Sequence, residues 1–228
     1  LAAVGTLAAG VAHEINNPCG IILNRIECVA QDVEARCEEC FALRDLEVIR
    51  QNASRVATIA RGLLDLSREE EEPTAEVSLG DLVARVATFA GAEFRAGGVA
   101  LEVSPAPRPT FVVGNESRLE QLVLNLLLNG LQATPSGGRI RVAVSTHRAG
   151  AVVLEVTDTG CGIAQDSLER IFEPFYSTQR NSGGTGLGLA VVQNIAAGHR
   201  ARILVESEPG RGSTFRVIFP GADRGARP

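Results

Sequence analysis

The sequence predicts an α+β chain of two domains, a helical hairpin followed by a mixed sheet covered by helices on one face. Three observations predict it. Apolar residues recur at steps of three and four from Val4 to Leu63, the acidic run Glu69 to Glu72 with Pro73 breaks that pattern, and short β-branched runs then alternate with helical ones. With 228 residues, 45% of them hydrophobic, the chain can fill two such cores.

The first seam runs Val4, Leu7, Val11, Ile15, Pro18, Ile22, Ile26, Val29, Val33, and the second Leu46, Ile49, Ala53, Val56, Ala60, Leu63. This spacing lays one narrow stripe along each helix, close to a heptad. Two such helices make an antiparallel hairpin that covers its stripes poorly alone, so two hairpins closing a four-helix bundle, and hence a homodimer, are expected. The hairpin turn falls within about residues 36–44, with no Gly or Pro to mark it. Gly62 interrupts the second helix at about 1 kcal/mol relative to Ala.

Beyond the linker the predicted order is a strand Glu76 to Leu79, a helix Gly80 to Arg95, and strands Val99 to Val103 and Phe111 to Val113. A helix Glu116 to Ala133 follows, then a hairpin of Ile140 to Thr146 and Val152 to Asp158. A helix Leu187 to Ala197 leads into strands Arg202 to Glu206 and Thr214 to Phe219. Gly137-Gly138 and Pro209-Gly210 mark turns. The expected divisions are residues 1–72, 73–220 and a tail, 221–228.

Net charge is −5, all positive charge is arginine, and no basic cluster stands out, which argues against nucleic acid or an anionic membrane as partner. No run approaches the ~20 apolar residues that span a bilayer. The chain opens with Leu1 in mid-pattern and has no methionine, so it reads as a piece of a longer protein whose membrane anchoring stays open. The odd cysteine count (Cys19, Cys28, Cys37, Cys40, Cys161) predicts reduced thiols and a cytoplasmic setting. Cys37 and Cys40 form a single C-x-x-C without the second pair a zinc site needs, so small apolar packing is the expectation there.

Four stretches have chemistry. In Val11 to Pro18, His13 and Asn17 share a helix face, with Glu14 beside them. Pro18 removes the amide proton that would bond Glu14, so a kink is expected there. An imidazole can act as nucleophile while a neighbouring carboxylate takes its other ring proton, although taken alone the stretch reads first as a solvated helix face. Asn125 and Asn129 lie one turn apart on an otherwise apolar helix. Either they bond neighbouring backbone or an amide oxygen is offered to Mg²⁺, and the spacing leaves the two readings even. Asp158, at a strand end, can accept a proton from an exocyclic amine such as that of adenine, and Gly160 and Gly162 around Cys161 let backbone approach a flat ring. The run Gly183-Gly184-Thr185-Gly186-Leu187-Gly188-Leu189 feeds a helix N-terminus and can present amides to phosphates, but lacks both the lysine of a P-loop and the preceding strand of a dinucleotide fingerprint.

In this order the motifs resemble those of a sensor histidine kinase. His13 to Pro18 is similar to the H box, Asn125 to Asn129 to the N box, Asp158 to Gly162 to the G1 box, Phe172 to Tyr176 to the F box, and Gly184 to Leu189 to the G2 box. In wording the chain is nearest the nitrogen-regulation subgroup.

The resemblance implies a dimerisation and histidine-phosphotransfer hairpin joined to an α/β sandwich of the Bergerat (GHKL) type that binds ATP. It implies that Asp158 recognises adenine, Asn129 holds Mg²⁺ with Asn125 as polar partner, and Gly184, Gly186 and Gly188, with Thr185 and Leu187 between them, frame the triphosphate under a lid from Phe172 to Ser182. His13 would attack the γ-phosphate with Glu14 as base, the phosphoryl group would pass to a response-regulator aspartate, and Asn17 would orient water in the reverse, phosphatase reaction. Relatives often carry lysine at the position of Gln179, so Arg180 is the candidate phosphate contact, and Gly130 stands where alanine is usual. A nucleotide-gated scaffold or regulator phosphatase with weak kinase activity is the alternative; a chaperone-like or mismatch-repair ATPase lacks the His-Glu hairpin and ranks far below.

Overall fold

The computed structural model describes residues 15, 18–29, 45–46, 48–50, 52–53, 56, 60, 74–106, 110–147, 150–177 and 185–221. The chain divides into two compact units, Leu1–Arg68 with Ser177–Leu187 and Glu69–Tyr176 with Gly188–Pro228. The expected kink beside His13, the turn near 36–44, Gly62, the linker at 69–73, the pair Cys37 and Cys40, and most of the tail lie outside the described residues.

In the first unit, residues 18–29 are helical, as are the described residues among 45–60. The guanidinium of Arg25 donates to the Asp45 carboxylate at 2.9 Å, tying the two helical segments together. Pro18 is buried, whereas Ile26, on the predicted seam, is 49% exposed in the single chain.

The second unit begins with β1 (Ala75–Ser78) and α1 (Leu79–Gly97), followed by β2 (Ala100–Val103) and β3 (Phe111–Gly114). Then come α2 (Glu116–Ala133), β4 (Arg139–Thr146) and β5 (Val152–Asp158). After a 3-10 turn at Gln165–Ser167 come α3 (Gly188–Gly198), β6 (Arg202–Glu208) and β7 (Gly212–Phe219). The predicted first strand is one residue out of step. Leu79 is fully buried with Leu82, Val83 and Val86 at helical spacing, so it opens α1 and does not close β1. α1 ends at Gly98, whose φ of 67° lets its N–H reach Arg95 O and the N–H of Val99 reach Phe94 O, a Schellman closure that follows the buried Phe94. α2 keeps its predicted bounds because both ends are signalled. The Asn115 side chain caps the Arg118 N–H at 2.9 Å, and at the other end the Thr134 hydroxyl bonds the Gly130 carbonyl just before Pro135.

The main sheet has the order β2-β4-β5-β7-β6, with β2 parallel to β4 and every other pair antiparallel. β1 and β3 form a separate antiparallel pair that the sequence does not announce. Along β5, Val152, Leu154, Val156 and Asp158 are buried while the alternate residues are half-exposed, the period-2 pattern of a sheet covered on one face. Ile140 and Val142 of β4, and Phe215, Val217 and Phe219 of β7, share that face, and the three helices pack over it. Full burial of a Leu or Phe side chain is worth about 1.5–3 kcal/mol, so this layer dominates the unit's stability. On the open face Arg216 bridges Glu155 and Glu206, each at 2.6 Å, which at that exposure adds about 1 kcal/mol at most per pair.

Candidate active site

The covered face ends in a carboxylate. Asp158, the last residue of β5, is 4% exposed. Its Oδ1 accepts the N–H of Gly160 at 2.8 Å and the N–H of Ser213 at 3.2 Å. Among the described residues, no backbone N–H bonds Oδ2. Burial pushes the Asp158 carboxyl above its ordinary value, against the pull of the Gly160 and Ser213 donors.

The glycines around it are fixed by close packing. A Cβ on Gly160 would overlap the Ala133 carbonyl of α2, and one on Gly162 (φ 68°) the Glu208 carbonyl of β6. Between them, Cys161 donates its N–H to Ala133 O at 3.0 Å and accepts from Gly210 N–H at 2.7 Å. The turn is therefore pinned to α2 on one side and to the β6–β7 turn on the other. A Cβ on Gly130 would sit 3.7 Å from Asp158 Cβ, so the C-terminal half of α2 runs beside the carboxylate.

α2 packs on the sheet with α1 and α3 against it. Its Asn125 and Asn129 are half-buried, and among the described residues neither side-chain amide makes a hydrogen bond. That removes the backbone-bonding reading of this pair and leaves two amides one turn apart available to an external partner. α3 begins at Gly188, where an added methyl would meet nothing within 4 Å among the described residues, and its first amides have no partner within the helix.

The F-box segment forms consecutive turns. Tyr176 donates its hydroxyl to Ser167 at 3.0 Å under the Arg170 guanidinium, 4.4 Å from the ring centre. Phe175 has a φ of 66°, a left-handed conformation that costs a bulky residue about 1–2 kcal/mol.

The family described as histidine kinase-, DNA gyrase B-, and HSP90-like ATPase matches residues 114–223, and the His Kinase A (phospho-acceptor) domain matches residues 3–72. This chain belongs to the sensor histidine kinases. Sensor histidine kinase RppB of Synechocystis sp. is 36% identical over 220 residues, covering 93% of this chain and 48% of RppB. Histidine kinase ThkA in complex with response regulator protein TrrA superposes with a TM-score of 0.81 at 25% identity, over 99% of this chain and 64% of that one. Full-length ShkA in complex with AMPPNP superposes with a TM-score of 0.67 at 26% identity, over 80% of this chain and 39% of that one. The chain spans about half the length of the curated relatives it matches.

In this histidine kinase core the sheet and its helices are the GHKL ATP-binding fold. The second unit brings Asn125, Asn129, Asp158, Gly160, Gly162 and Gly188 onto elements packed against one another. Thr185, Gly186 and Leu187 fall in the first unit's division, which ends at Leu187. His13, Glu14, Asn17, Arg180 and Gly184 lie outside the described residues. Sequence reasoning missed Ser213, whose backbone N–H donates to Asp158, and Ser207, whose hydroxyl lies 3.0 Å from that of Ser213. The available signal was Gly210-Arg211-Gly212-Ser213. Gly212 has a φ of 94° and no room for a Cβ beside the Asp158 carbonyl, so the turn delivers Ser213 to the carboxylate.

Proposed function

We propose that this kinase core phosphorylates its own His13 from ATP and passes the phosphoryl group to an aspartate of a response regulator. The observation that supports it best is Asp158: a buried carboxylate whose Oδ1 takes two backbone donors and whose Oδ2 is left to accept the exocyclic amine of adenine. Gly160 and Gly162 let the turn after Asp158 pack directly on the Ala133 and Glu208 carbonyls and so hold the carboxylate's end of the site, and the amides of Gly188 and the α3 N-terminus, with Gly184, Thr185, Gly186 and Leu187, receive phosphate oxygens.

The unpartnered amides of Asn125 and Asn129 fit a hard cation, with Asn129 as direct ligand and Asn125 supporting it. Mg²⁺, when bound, neutralises charge on the phosphates. His13 attacks the γ-phosphorus while Glu14 takes the second ring proton; the N–P bond forms as the bond to the β–γ bridging oxygen breaks and ADP leaves. Arg180 contacts phosphate from the lid. Asn17 orients water for the reverse, phosphatase reaction.

The exposed seam residue Ile26 supports a homodimeric four-helix bundle, which a second hairpin would complete. ThkA, a relative, is held in a complex with a response regulator, which supports a receiver domain as partner here. Among the described residues no helix is long and apolar enough to cross a membrane, and a cytoplasmic setting for this core remains the reading. The wording of the motifs favours the nitrogen-regulation subgroup.

Incubation with γ-labelled ATP tests the central claim. His13→Gln is expected to abolish acid-labile label while nucleotide binding persists; label that remains on another residue would sink the assignment.

A further inference from the structure

Three glycines close around Asp158. Gly160 donates its own N–H to the carboxylate, and Gly212 precedes Ser213, whose N–H does the same. Gly130 makes neither contact. It lies buried inside α2, where the backbone is helical and alanine is the better helix former, so only space can require a glycine there. A Cβ built on Gly130 would stand 3.0 Å from Ile140 Cδ1, 3.6 Å from Ile140 Cγ1 and 3.7 Å from Asp158 Cβ.

The side chain that such a Cβ would press has little freedom to give. Ile140 is fully buried, in an interior packed too closely for its Cδ1 to swing aside. It is also the cross-strand partner of Asp158 in the β4–β5 ladder. The neighbouring pair is tied twice, by the Thr159 N–H to the Arg139 carbonyl at 3.1 Å and by the Arg139 N–H to the Thr159 hydroxyl at 3.0 Å. Pressure on Ile140 therefore passes into the strand end that carries the carboxylate. Because Oδ1 is held by Gly160 and Ser213, a shift of that strand end turns the direction in which Oδ2 points.

We propose that Gly130 is a positioning residue for purine recognition: its missing Cβ lets α2 lie against the Ile140–Asp158 pair, and that close approach aims Asp158 Oδ2 at the base, setting the preference for a 6-amino over a 6-oxo purine. This rests on the reading of Asp158 as the adenine contact. Alanine at 130 favours the helix while overpacking Ile140, so the two effects on stability oppose each other, whereas recognition only loses.

Equilibrium binding of ATP and of inosine triphosphate to the full chain tests this. Wild type should prefer ATP. Gly130→Ala should weaken ATP about tenfold and inosine triphosphate little, so that the ratio falls about tenfold. Ile140→Val removes the Cδ1 that the new methyl meets, so adding it to Gly130→Ala should restore the ratio, which a merely structural role would not predict. If both affinities fall by one factor in Gly130→Ala, or if the double variant keeps the altered ratio, the proposal is overturned. Should Gly130→Ala fail to fold, the double variant decides: folded with the wild-type ratio it upholds the proposal, and unfolded or without that ratio it overturns it. A wild type that does not discriminate overturns the adenine reading as well; discrimination that survives Gly130→Ala overturns Gly130's part alone.

Discussion

The ring of His199 joins the end of α3 to the start of α2: its Nε2 accepts the backbone N–H of Asn115 at 3.1 Å, and its Nδ1 donates to the Ile195 carbonyl at 2.8 Å. Asn115 is the N-cap of α2, so one side chain ties together the two helices that flank the proposed nucleotide, and it packs edge-on against Phe219 of β7. His199→Ala should cost about 2 kcal/mol, since it strands the Asn115 N–H and removes the ring packed on Phe219, and should appear as a lower urea midpoint with ATP affinity nearly unchanged. A large loss of affinity at unchanged stability would contradict this role. Gly114→Ala should destabilise too, because its Cβ would overlap the same ring.

Asp158→Asn should separate stability from binding. The free carboxyl titrates near 3.8 and folding raises that value, chiefly by burial. Between the two values the folded protein holds a proton that the unfolded chain has released, so stability falls as pH rises through that window. Above it, the ionised Asp158 weakens the nucleotide-free protein. The asparagine variant is therefore expected to unfold at a higher temperature than wild type at neutral pH, to lose this pH dependence, and to bind ATP about tenfold or more less tightly. Calorimetric scans across pH, alongside titration with ATP, would read both, and a variant that is less stable at neutral pH would refute the burial argument.

Two glycines with similar backbone angles should respond differently to alanine. Gly162 and Gly210 have φ of 68° and 79°, but only at Gly162 does a Cβ meet backbone, at the Glu208 carbonyl. Gly210→Ala should cost about 1–2 kcal/mol in stability and leave ATP binding intact. Gly162→Ala should cost more than that and weaken binding, because the adenine turn must shift. Equal costs in denaturant melts would show that the close approach to Glu208 is unimportant.

Asn125→Ala and Asn129→Ala should each change stability by less than about 0.5 kcal/mol, because the amides have no protein partner to lose among the described residues. Asn129→Ala should nevertheless weaken ATP binding in the presence of Mg²⁺ by about tenfold or more, and lose most of the difference between binding with and without the metal. Titrations with and without EDTA would test this. Destabilisation above about 1 kcal/mol would restore the reading in which these side chains bond backbone.

Local signals wrote most of the second unit into the sequence. α2 keeps its predicted bounds because Asn115 and Pro135 stand at its ends, and β5 because its apolar residues alternate up to Asp158. The carboxylate, its glycines and the asparagine pair were legible as residue types at motif spacing. What was not legible depends on partners distant in the chain. Ser213 reaches Asp158 across 55 positions, Ser207 reaches Ile163 across 44, and His199 reaches Asn115 across 84. No periodicity encodes such meetings; the sheet register creates them. The pairing of β1 with β3 was hidden likewise, since two four-residue strands separated by a whole helix have no turn signature in common.

β5 is hydrogen-bonded on both sides, to β4 and to β7, along nearly its whole length. Amide exchange in such an inner strand requires the sheet to come apart, so the base-recognition end of the site opens only as often as the unit unfolds. Hydrogen exchange at Val156 and Thr157 should accordingly report global stability, and nucleotide should slow it by mass action alone. The proposed adenine end therefore acts as a fixed anvil.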